Sequence, residues 1–191
     1  MGPTGFPFEQ YIAKVLQAYG YATSTNQTIR GRCVSHEVDV VARKDGVAHF
    51  IECKYHRFRA AVSDLKVALY HHARCLDLKE ALQYWQDEKA GWLITNTRCT
   101  SQAIAYAECV GMRITAWHYP QNGGLEQLIE ANELYPITIF PVLDQDAKQR
   151  LIKNNFLLAK DVLSRKAGLQ KTGIPAKLRQ RLVEQAEILL S

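Results

Sequence analysis

The sequence predicts an α/β fold with a mixed sheet flanked by helices, followed by a small all-helical module. Short segments rich in β-branched residues alternate with amphipathic helical segments through the first 131 residues. The Lys44-Asp45-Gly46 turn joins two strands as a hairpin, whereas the later strands are separated by helices, as in crossover connections. From about residue 145 onward every periodic segment has helical spacing.

The first region begins with a helix and continues with three strands. The helix spans residues 8–19, has one apolar stripe, and is stopped by Gly20. The strands lie at about 27–34, 37–43 and 47–54. The order then continues with a helix (63–85), a strand (91–95), a helix (100–110), a strand (112–117) and a short helix (125–131). For the long helix we predict a buried stripe of Leu65, Leu69, His72 or Ala73, and Leu76.

The order of elements divides the chain into three parts. Residues 1–132 form the α/β domain, and residues 145–191 form a helical module with helices at about 145–153, 157–165 and 175–190. Between them, residues 133–144 carry two prolines, which is typical of a linker or an edge strand. We therefore expect one compact domain with a small appendage.

Composition excludes several classes of protein. The chain has 191 residues, of which 47% are hydrophobic and 23% charged, as in soluble globular proteins. No apolar run approaches the roughly 20 residues of a membrane span, and residues 1–8 lack the features of a signal peptide. The five cysteines include no CxxC pair, which favours reduced thiols over disulfides or structural zinc. We therefore expect a cytoplasmic protein without a membrane partner.

The positive charge is concentrated at the carboxyl end of the chain. Residues 1–144 hold 14 Lys and Arg against 15 Asp and Glu, whereas residues 145–191 hold 10 against 4. This asymmetry indicates an anionic partner for the helical module, most simply nucleic acid. A solvated basic helical face is the alternative.

Three residues of the predicted hairpin carry the chemistry. Asp39 lies on one strand, and Glu52 and Lys54 lie two residues apart on the other, so that these two share a face. Two carboxylates beside an apolar run are costly to bury unless they are neutralised or bind a cation. Oxygen ligands suit Mg²⁺ or Mn²⁺, and a neighbouring lysine can hold the attacking water of a phosphodiester hydrolysis. A structural salt bridge on a sheet face is the alternative.

This D-x12-E-x-K pattern resembles that of the PD-(D/E)xK nuclease superfamily, and within it the Mrr-like restriction endonuclease branch. The resemblance covers residues 5–131 and includes the α-β-β-β-α-β order of elements. The chain departs from the family pattern in having Val38 before Asp39 instead of proline, and in keeping an acid at Glu52, where many Mrr-like members have glutamine. The resemblance implies a DNA endonuclease in which Asp39 and Glu52 bind Mg²⁺ or Mn²⁺ and Lys54 orients or activates the water.

The resemblance also suggests further site residues in the first domain. In similar nucleases an acidic residue of the first helix joins the site, and Glu9 is the matching candidate; an ordinary first-turn glutamate is the alternative. Arg57 and Arg59 follow the ExK strand and are candidates for phosphate contacts, with a solvated loop as the alternative. The helix after that strand faces the site in the family, which makes Tyr70 and Arg74 candidates for phosphate contacts or for support of the catalytic groups.

The C-terminal segment resembles helix-hairpin-helix modules. The matching features are Asn154-Asn155-Phe156 and the Thr172-Gly173-Ile174-Pro175 turn before the last helix. Such modules bind DNA phosphates through backbone N–H groups, and this implies nucleic-acid contacts by Lys171, Gly173 and Lys177. A plain packing or dimerisation element is the alternative.

These observations together predict a metal-dependent DNA endonuclease, which acts as a homodimer if it cuts both strands of a duplex. Two other functions stay open at this point. One is a non-catalytic DNA-binding or regulatory protein that retains the nuclease fold. The other is a structure-specific nuclease of branched DNA or RNA.

Overall fold

The computed structural model describes residues 7–81 and 91–191, which divide into two compact units. The first unit is Phe8–Gln127 and the second contains Leu128–Ser191. The first unit contains, in order, α1 (Phe8–Ala18), β1 (Ala22–Arg30), β2 (Ser35–Lys44), β3 (Val47–Lys54), β4 (Val62–Ser63), α2 (Leu65–Ala81), β5 (Gly91–Thr95), β6 (Arg98–Cys99), α3 (Ser101–Cys109) and β7 (Arg113–Thr115). Helix α4 (Leu125–Glu130) contains the point of division.

The first unit is built on a five-stranded mixed sheet with the order β1-β2-β3-β5-β7. β1–β2 and β2–β3 are antiparallel, whereas β3–β5 and β5–β7 are parallel. The predicted α/β fold with a mixed sheet, and its order of helices and strands, are therefore confirmed. The Asp45-Gly46 turn closes the central hairpin, with both residues at positive φ.

Two features of the strands differ from the prediction. β1 begins at Ala22, earlier than predicted. The prediction missed its first residues because the segment Ala22–Thr28 consists of small and polar residues and lacks the apolar alternation that marks a half-buried strand. β4 and β6 form a separate two-stranded parallel pair that was not predicted. Each has two residues, too few for any periodicity to show.

The prediction of the buried face of α2 is wrong. Leu69 and Leu76 are 42% and 49% exposed, and the buried stripe consists instead of Ala68, His71, Cys75 and Leu78. Both sets recur at helical spacing, but the buried set is made mostly of small or polar residues. His71 is accepted in the core because its Nε2 lies 3.2 Å from the Phe50 carbonyl oxygen. Residues 82–85 of the predicted helix lie outside the described residues.

The core of the first unit lies on both faces of the central strands. α1 buries a stripe that includes Ile12 and Leu16, as predicted, and packs on β1, β2 and β3. On the strands, Phe50, Ile51 and Trp92 are almost completely buried. β3 and β5 are therefore held at the centre of the sheet, and the residues at their carboxyl ends have fixed positions.

The second unit is helical. It contains a 3₁₀ turn (Ile137–Ile139), α5 (Gln145–Lys153), α6 (Ala159–Ser164), a longer 3₁₀ segment (Lys166–Thr172) and α7 (Ala176–Leu189). Its core residues include Ile137, Phe140, Leu143, Leu151, Phe156, Val162, Leu169, Ile174 and Leu182. Residues 133–144, predicted as a linker or an edge strand, contribute three of these side chains, Ile137, Phe140 and Leu143. The strand pairing recorded for this segment is an isolated bridge from Pro136 to Leu158.

No helix in the described part of the chain is both long and apolar enough to cross a lipid bilayer.

Candidate active site

The β2–β3 hairpin brings Asp39 and Glu52 together. The recorded register pairs Val40 with Ile51, and one step further along the hairpin Asp39 lies opposite Glu52. The Cys53 backbone N–H donates a 2.7 Å hydrogen bond to Asp39 Oδ2. This bond links the two strands, so the Asp39 carboxylate is held beside the carboxyl end of β3.

The Asp39 carboxyl is protonated more readily than an ordinary aspartate. Its pKa is raised to about 6, mainly by burial and to a smaller extent by the charges of Glu52 and Glu9, and the Cys53 hydrogen bond and Arg74 offset part of this effect. Glu9 stands in the first turn of α1, where the ring of the preceding Phe8 lies 5.5 Å from that of Tyr55. The start of α1 therefore adjoins the end of β3, and Glu9 is within electrostatic reach of Asp39.

Arg74 neutralises one of these carboxylates. Its Nη1 donates a 2.6 Å hydrogen bond to Glu52 Oε2, and the two side chains are only 12% and 19% accessible. The guanidinium also lies over the ring of Tyr70, with 5.0 Å between Cζ and the ring centroid. Burial lowers the pKa of Arg74, but Glu52 and Tyr70 outweigh this effect, and the net shift is upward. Arg74 is therefore a permanent cation in direct contact with the site.

Lys54 shares a face of β3 with Glu52, and Cys53 between them points to the other face. Within residues 7–81 and 91–191 the Lys54 ammonium has no ion-pair partner. Burial, reinforced by Asp39, Glu52 and Glu9, raises the pKa of the Cys53 thiol well above its usual range. Cys53 is therefore protonated and is a packed thiol, not a ligand or a nucleophile.

Asn96 was not predicted from the sequence, although it fixes the chain that leaves β3. Its Oδ1 accepts from the His56 N–H at 2.7 Å, and its Nδ2 donates to the His56 carbonyl at 2.8 Å. The His56 ring in turn lies 3.0 Å from the hydroxyl of the buried Ser63. Because β3 and β5 are parallel and Lys54 pairs with Thr95, Asn96 lies directly beside this exit. A polar residue at the end of a buried strand is the sequence signal that indicates such a role.

The remaining predicted site residues lie on exposed surfaces. Arg57 and Arg59 are exposed in the loop after β3, and Arg57 lies over the ring of Phe58 with 5.8 Å between Cζ and the centroid. Lys171, Gly173 and Lys177 belong to the second unit and are also exposed. Gly173 ends the 3₁₀ segment with a φ of 72°, and its carbonyl accepts from Arg150 Nη1 at 3.1 Å.

The donor set at the hairpin fits a divalent cation of the Mg²⁺ type. No group of three or more His, Cys, Asp or Glu with the arrangement of a complete metal site occurs among the residues that the structure describes. Mg²⁺ retains several waters and commonly binds through one or two carboxylates together with substrate phosphate, so it does not require such a group. Asp39 and Glu52 supply the two carboxylates, and the raised pKa of Asp39 shows that its charged form is poorly stabilised by the surrounding protein, chiefly because it is partly buried.

Comparison with known proteins identifies the family. Residues 3–121 match the catalytic-domain model Mrr_cat, described as a restriction endonuclease, which covers more than half of the chain. The chain belongs to this restriction endonuclease family. In addition, residues 135–190 match the C-terminal domain model described as AF1548-like. The two matched ranges follow one another along the chain.

Two relatives match this restriction endonuclease-family chain over more than nine-tenths of its length, and a third matches just over half of it. A protein of Archaeoglobus fulgidus, described as uncharacterized, is 37% identical over 183 residues, which are 92% of this chain and 98% of that protein. The crystal structure titled "Protein of Unknown Function AF1548" matches with a TM-score of 0.82 at 34% identity, over 96% of this chain and 98% of the other. Can2 from Sulfobacillus thermosulfidooxidans, solved in complex with cyclic tetra-adenylate, matches with a TM-score of 0.45 at 18% identity, over 56% of this chain and 31% of the other.

Proposed function

We propose that the chain is a divalent-metal-dependent DNA endonuclease. The observation that carries the proposal is the partly buried carboxylate pair Asp39 and Glu52, next to Lys54, on the central hairpin of a restriction endonuclease-family fold. The pKa of Asp39 is raised to about 6 by burial and, to a smaller extent, by the neighbouring charges of Glu52 and Glu9. A carboxyl with a perturbed pKa that is grouped with a second carboxylate and a lysine is typical of catalytic sites.

In this proposal Asp39 and Glu52 hold Mg²⁺ or Mn²⁺, and Glu9 adds a third negative charge nearby. When bound, the cation supplies Lewis acidity toward the phosphoryl oxygens. Lys54 orients the attacking water and opposes the negative charge that develops on the phosphoryl group. Water adds to phosphorus and one P–O ester bond breaks, which leaves a phosphate end and a hydroxyl end. Arg74 keeps Glu52 neutralised when no cation is bound and is positioned to contact phosphate.

The exposed basic residues complete the proposal. Arg57 and Arg59 in the loop after β3 contact backbone phosphates near the site. Lys171, Gly173 and Lys177 of the second unit provide affinity that does not depend on base sequence, as in the helix-hairpin-helix modules that this segment resembles. A homodimer is the form that cuts both strands of a duplex, and the absence of paired cysteines favours action in the cytoplasm.

The decisive experiment is cleavage of supercoiled plasmid with Mg²⁺ or Mn²⁺, with EDTA as the negative condition. We expect cleavage by the wild-type protein and its loss, by a factor of about 100 or more, in Lys54→Ala. Lys44→Ala is the matched control, because Lys44 is an exposed lysine at the other end of the same hairpin, where it donates to the Tyr19 carbonyl. Equal cleavage by Lys54→Ala and wild type would contradict the assigned role of Lys54.

A non-catalytic DNA-binding protein is the second candidate, and one observation favours it. The 2.6 Å bond between Arg74 and Glu52 already satisfies one of the two carboxylates without a cation. Failure of the wild type to cleave plasmid, branched DNA, single-stranded DNA or RNA, while it still binds DNA, would support this candidate. Calorimetric titration with Mn²⁺ distinguishes the two further, because an active site binds the cation and Asp39→Asn abolishes that binding.

A further inference from the structure

Two aromatic side chains are strongly exposed in the first unit, and both belong to elements that adjoin β3. Phe58 is 71% exposed and Tyr70 is 66% exposed. Among the residues that the structure describes, every other Phe, Tyr or Trp side chain is at least partly buried. Isolated apolar residues are common on protein surfaces, but paired exposed aromatic rings beside one site call for a binding role.

Each exposed ring is paired with an arginine. Arg74 lies over Tyr70 and Arg57 lies over Phe58, with cation-to-centroid distances of 5.0 Å and 5.8 Å. An aromatic ring next to a guanidinium group matches the chemistry of a nucleotide, in which a flat base is linked to a phosphate.

The geometry connects both pairs to the candidate active site. Arg74 joins the ring of Tyr70 to the carboxylate of Glu52, which it contacts at 2.6 Å. Phe58 follows Lys54 by four residues, a reach of at most about 14 Å for an extended chain. Its loop is anchored at the β3 side by the Asn96 bonds to His56, and an Ala61 N–H bond to the Phe58 carbonyl closes a turn within the loop. The ring of Phe58 is therefore presented from a hydrogen-bonded turn that follows an anchored residue.

We propose that Phe58 and Tyr70 stack on unpaired bases next to the scissile phosphodiester, so that the substrate is single-stranded or locally unpaired DNA. This inference rests on the proposed nuclease site. Within a continuous duplex both faces of each base are covered by neighbouring bases, and an aromatic side chain has no face to stack on. In an unpaired strand the faces are free, and stacking on aromatic side chains tolerates any base sequence.

The test measures binding by full-length protein that carries Lys54→Ala to prevent cleavage. The probes are a fluorescein-labelled single-stranded oligonucleotide and the duplex of the same sequence, at one fixed salt concentration. We expect tighter binding of the single strand. Phe58→Ala and Tyr70→Ala should each weaken it by about 5-fold or more, whereas binding of the duplex should change by less than about 2-fold. Val34→Ala removes exposed apolar surface from the β1–β2 turn and is the matched control, expected to change neither.

Conservative variants separate stacking from other contributions. Tyr70→Phe retains the ring and should bind the single strand like the parent. Phe58→Leu retains apolar surface without a π-face and should bind as weakly as Phe58→Ala. A single strand that carries 2-aminopurine should lose fluorescence on binding, because the base becomes stacked, and should lose less with Phe58→Ala. Three results would each overturn the inference. They are binding of the single strand by Phe58→Leu as tight as by the parent, equal losses of single-strand and duplex binding in the alanine variants, and tighter binding of the duplex than of the single strand by the parent.

A cleavage panel distinguishes failure of this inference from failure of the proposed function. Metal-dependent cleavage of duplex but not of single-stranded or branched DNA by wild type would refute the unpaired substrate and leave the nuclease intact. Selective binding of the single strand without metal-dependent cleavage of any probe would refute the nuclease and leave the stacking surface intact.

Discussion

At the scale of single residues, the charged form of Asp39, the proposed metal ligand, lowers the stability of the fold. Its carboxylate is partly buried, accepts one backbone hydrogen bond and faces the charges of Glu52 and Glu9. In the folded protein its pKa of about 6 exceeds the ordinary aspartate value of 3.8. The folded state therefore binds this proton more tightly than the unfolded state does. The charged form destabilises the fold above pH 6, and this effect disappears as the pH falls toward 4.

We predict that Asp39→Asn abolishes cleavage and stabilises the metal-free protein. After allowance for the partial exposure of the carboxyl, the free energy of unfolding at pH 7.5 should increase by about 1 kcal/mol, which corresponds to a rise of about 2–4 °C in melting temperature. The asparagine oxygen can still accept from the Cys53 N–H. Thermal unfolding in EDTA measures the effect, and the gain should vanish near pH 4 because wild-type Asp39 is then protonated.

Asp45→Asn is the control for this prediction. Asp45 is exposed in the β2–β3 turn with a φ of 52°, a conformation that asparagine tolerates. Its substitution should leave both melting temperature and cleavage unchanged. A melting temperature of Asp39→Asn at or below that of wild type at pH 7.5 would contradict the electrostatic account.

At the scale of elements, α2 contacts the β1–β2 turn through Asp77 and the candidate active site through Arg74. Asp77 Oδ1 accepts from the Cys33 N–H at 2.7 Å, and its Oδ2 lies 2.7 Å from His36 Nε2. The backbone bond from Cys33, together with His36, holds the pKa of Asp77 well below its usual range. The turn between β1 and β2 is thereby docked on α2, and Gly31 in this turn leaves space for the carboxylate.

We predict that Gly31→Ala destabilises the protein by about 2–3 kcal/mol, because a Cβ there would overlap the Asp77 carboxylate and displace the docked turn. The Val34 carbonyl would also lie only 2.9 Å from this atom. Urea unfolding gives the free-energy difference. Gly46→Ala is the matched comparison, since its Cβ meets no atom within 4 Å and only the positive φ of 80° is strained, which should cost about 1 kcal/mol. Equal losses for the two variants would show that Asp77 does not require the glycine.

At the scale of the whole molecule, part of the basic charge of the second unit stabilises the unit itself. Arg165 donates to the carbonyls of Asn154 and Asn155, and Arg179 donates to that of Ile174. Lys166 pairs with Glu187 at 2.7 Å. Other basic side chains, including Lys171 and Lys177, make no such contact among the described residues and are available for phosphate.

We predict that DNA binding weakens steeply with salt and that Lys171 and Lys177 each contribute to the slope. In a plot of log Kobs against log salt concentration, Lys171→Ala and Lys177→Ala should each reduce the slope by about 1. Fluorescence anisotropy measures the affinity at salt concentrations between 50 mM and 200 mM. Over this range a protein that makes about six phosphate contacts loses about 1000-fold in affinity. Lys166→Ala should change the slope less, because its ammonium is held by Glu187. A flat salt response of the wild type would exclude the proposed role of the second unit.

The sequence by itself determined the central part of this protein. The Asp45-Gly46 turn and the two-residue period of the strands are local properties, so the hairpin and the shared face of Glu52 and Lys54 follow directly from residue spacing. The order of helices and strands follows in the same way from hydrophobic periodicity. The roles assigned to Asp39, Glu52, Lys54 and Glu9 stay predictions that the cleavage experiment tests.

Only the tertiary structure decided which surfaces meet. α2 carries two apolar stripes at helical spacing, and packing on the sheet selects the smaller residues Ala68 and Cys75 over Leu69 and Leu76. The same choice of face directs Arg74 to Glu52, and the parallel pairing of β3 with β5 brings Asn96 to His56, 40 residues away. Likewise Phe140 and Leu143 enter a core although Pro141 lies between them. These contacts join residues distant in the chain, so they depend on the summed burial of whole elements, which no local pattern records.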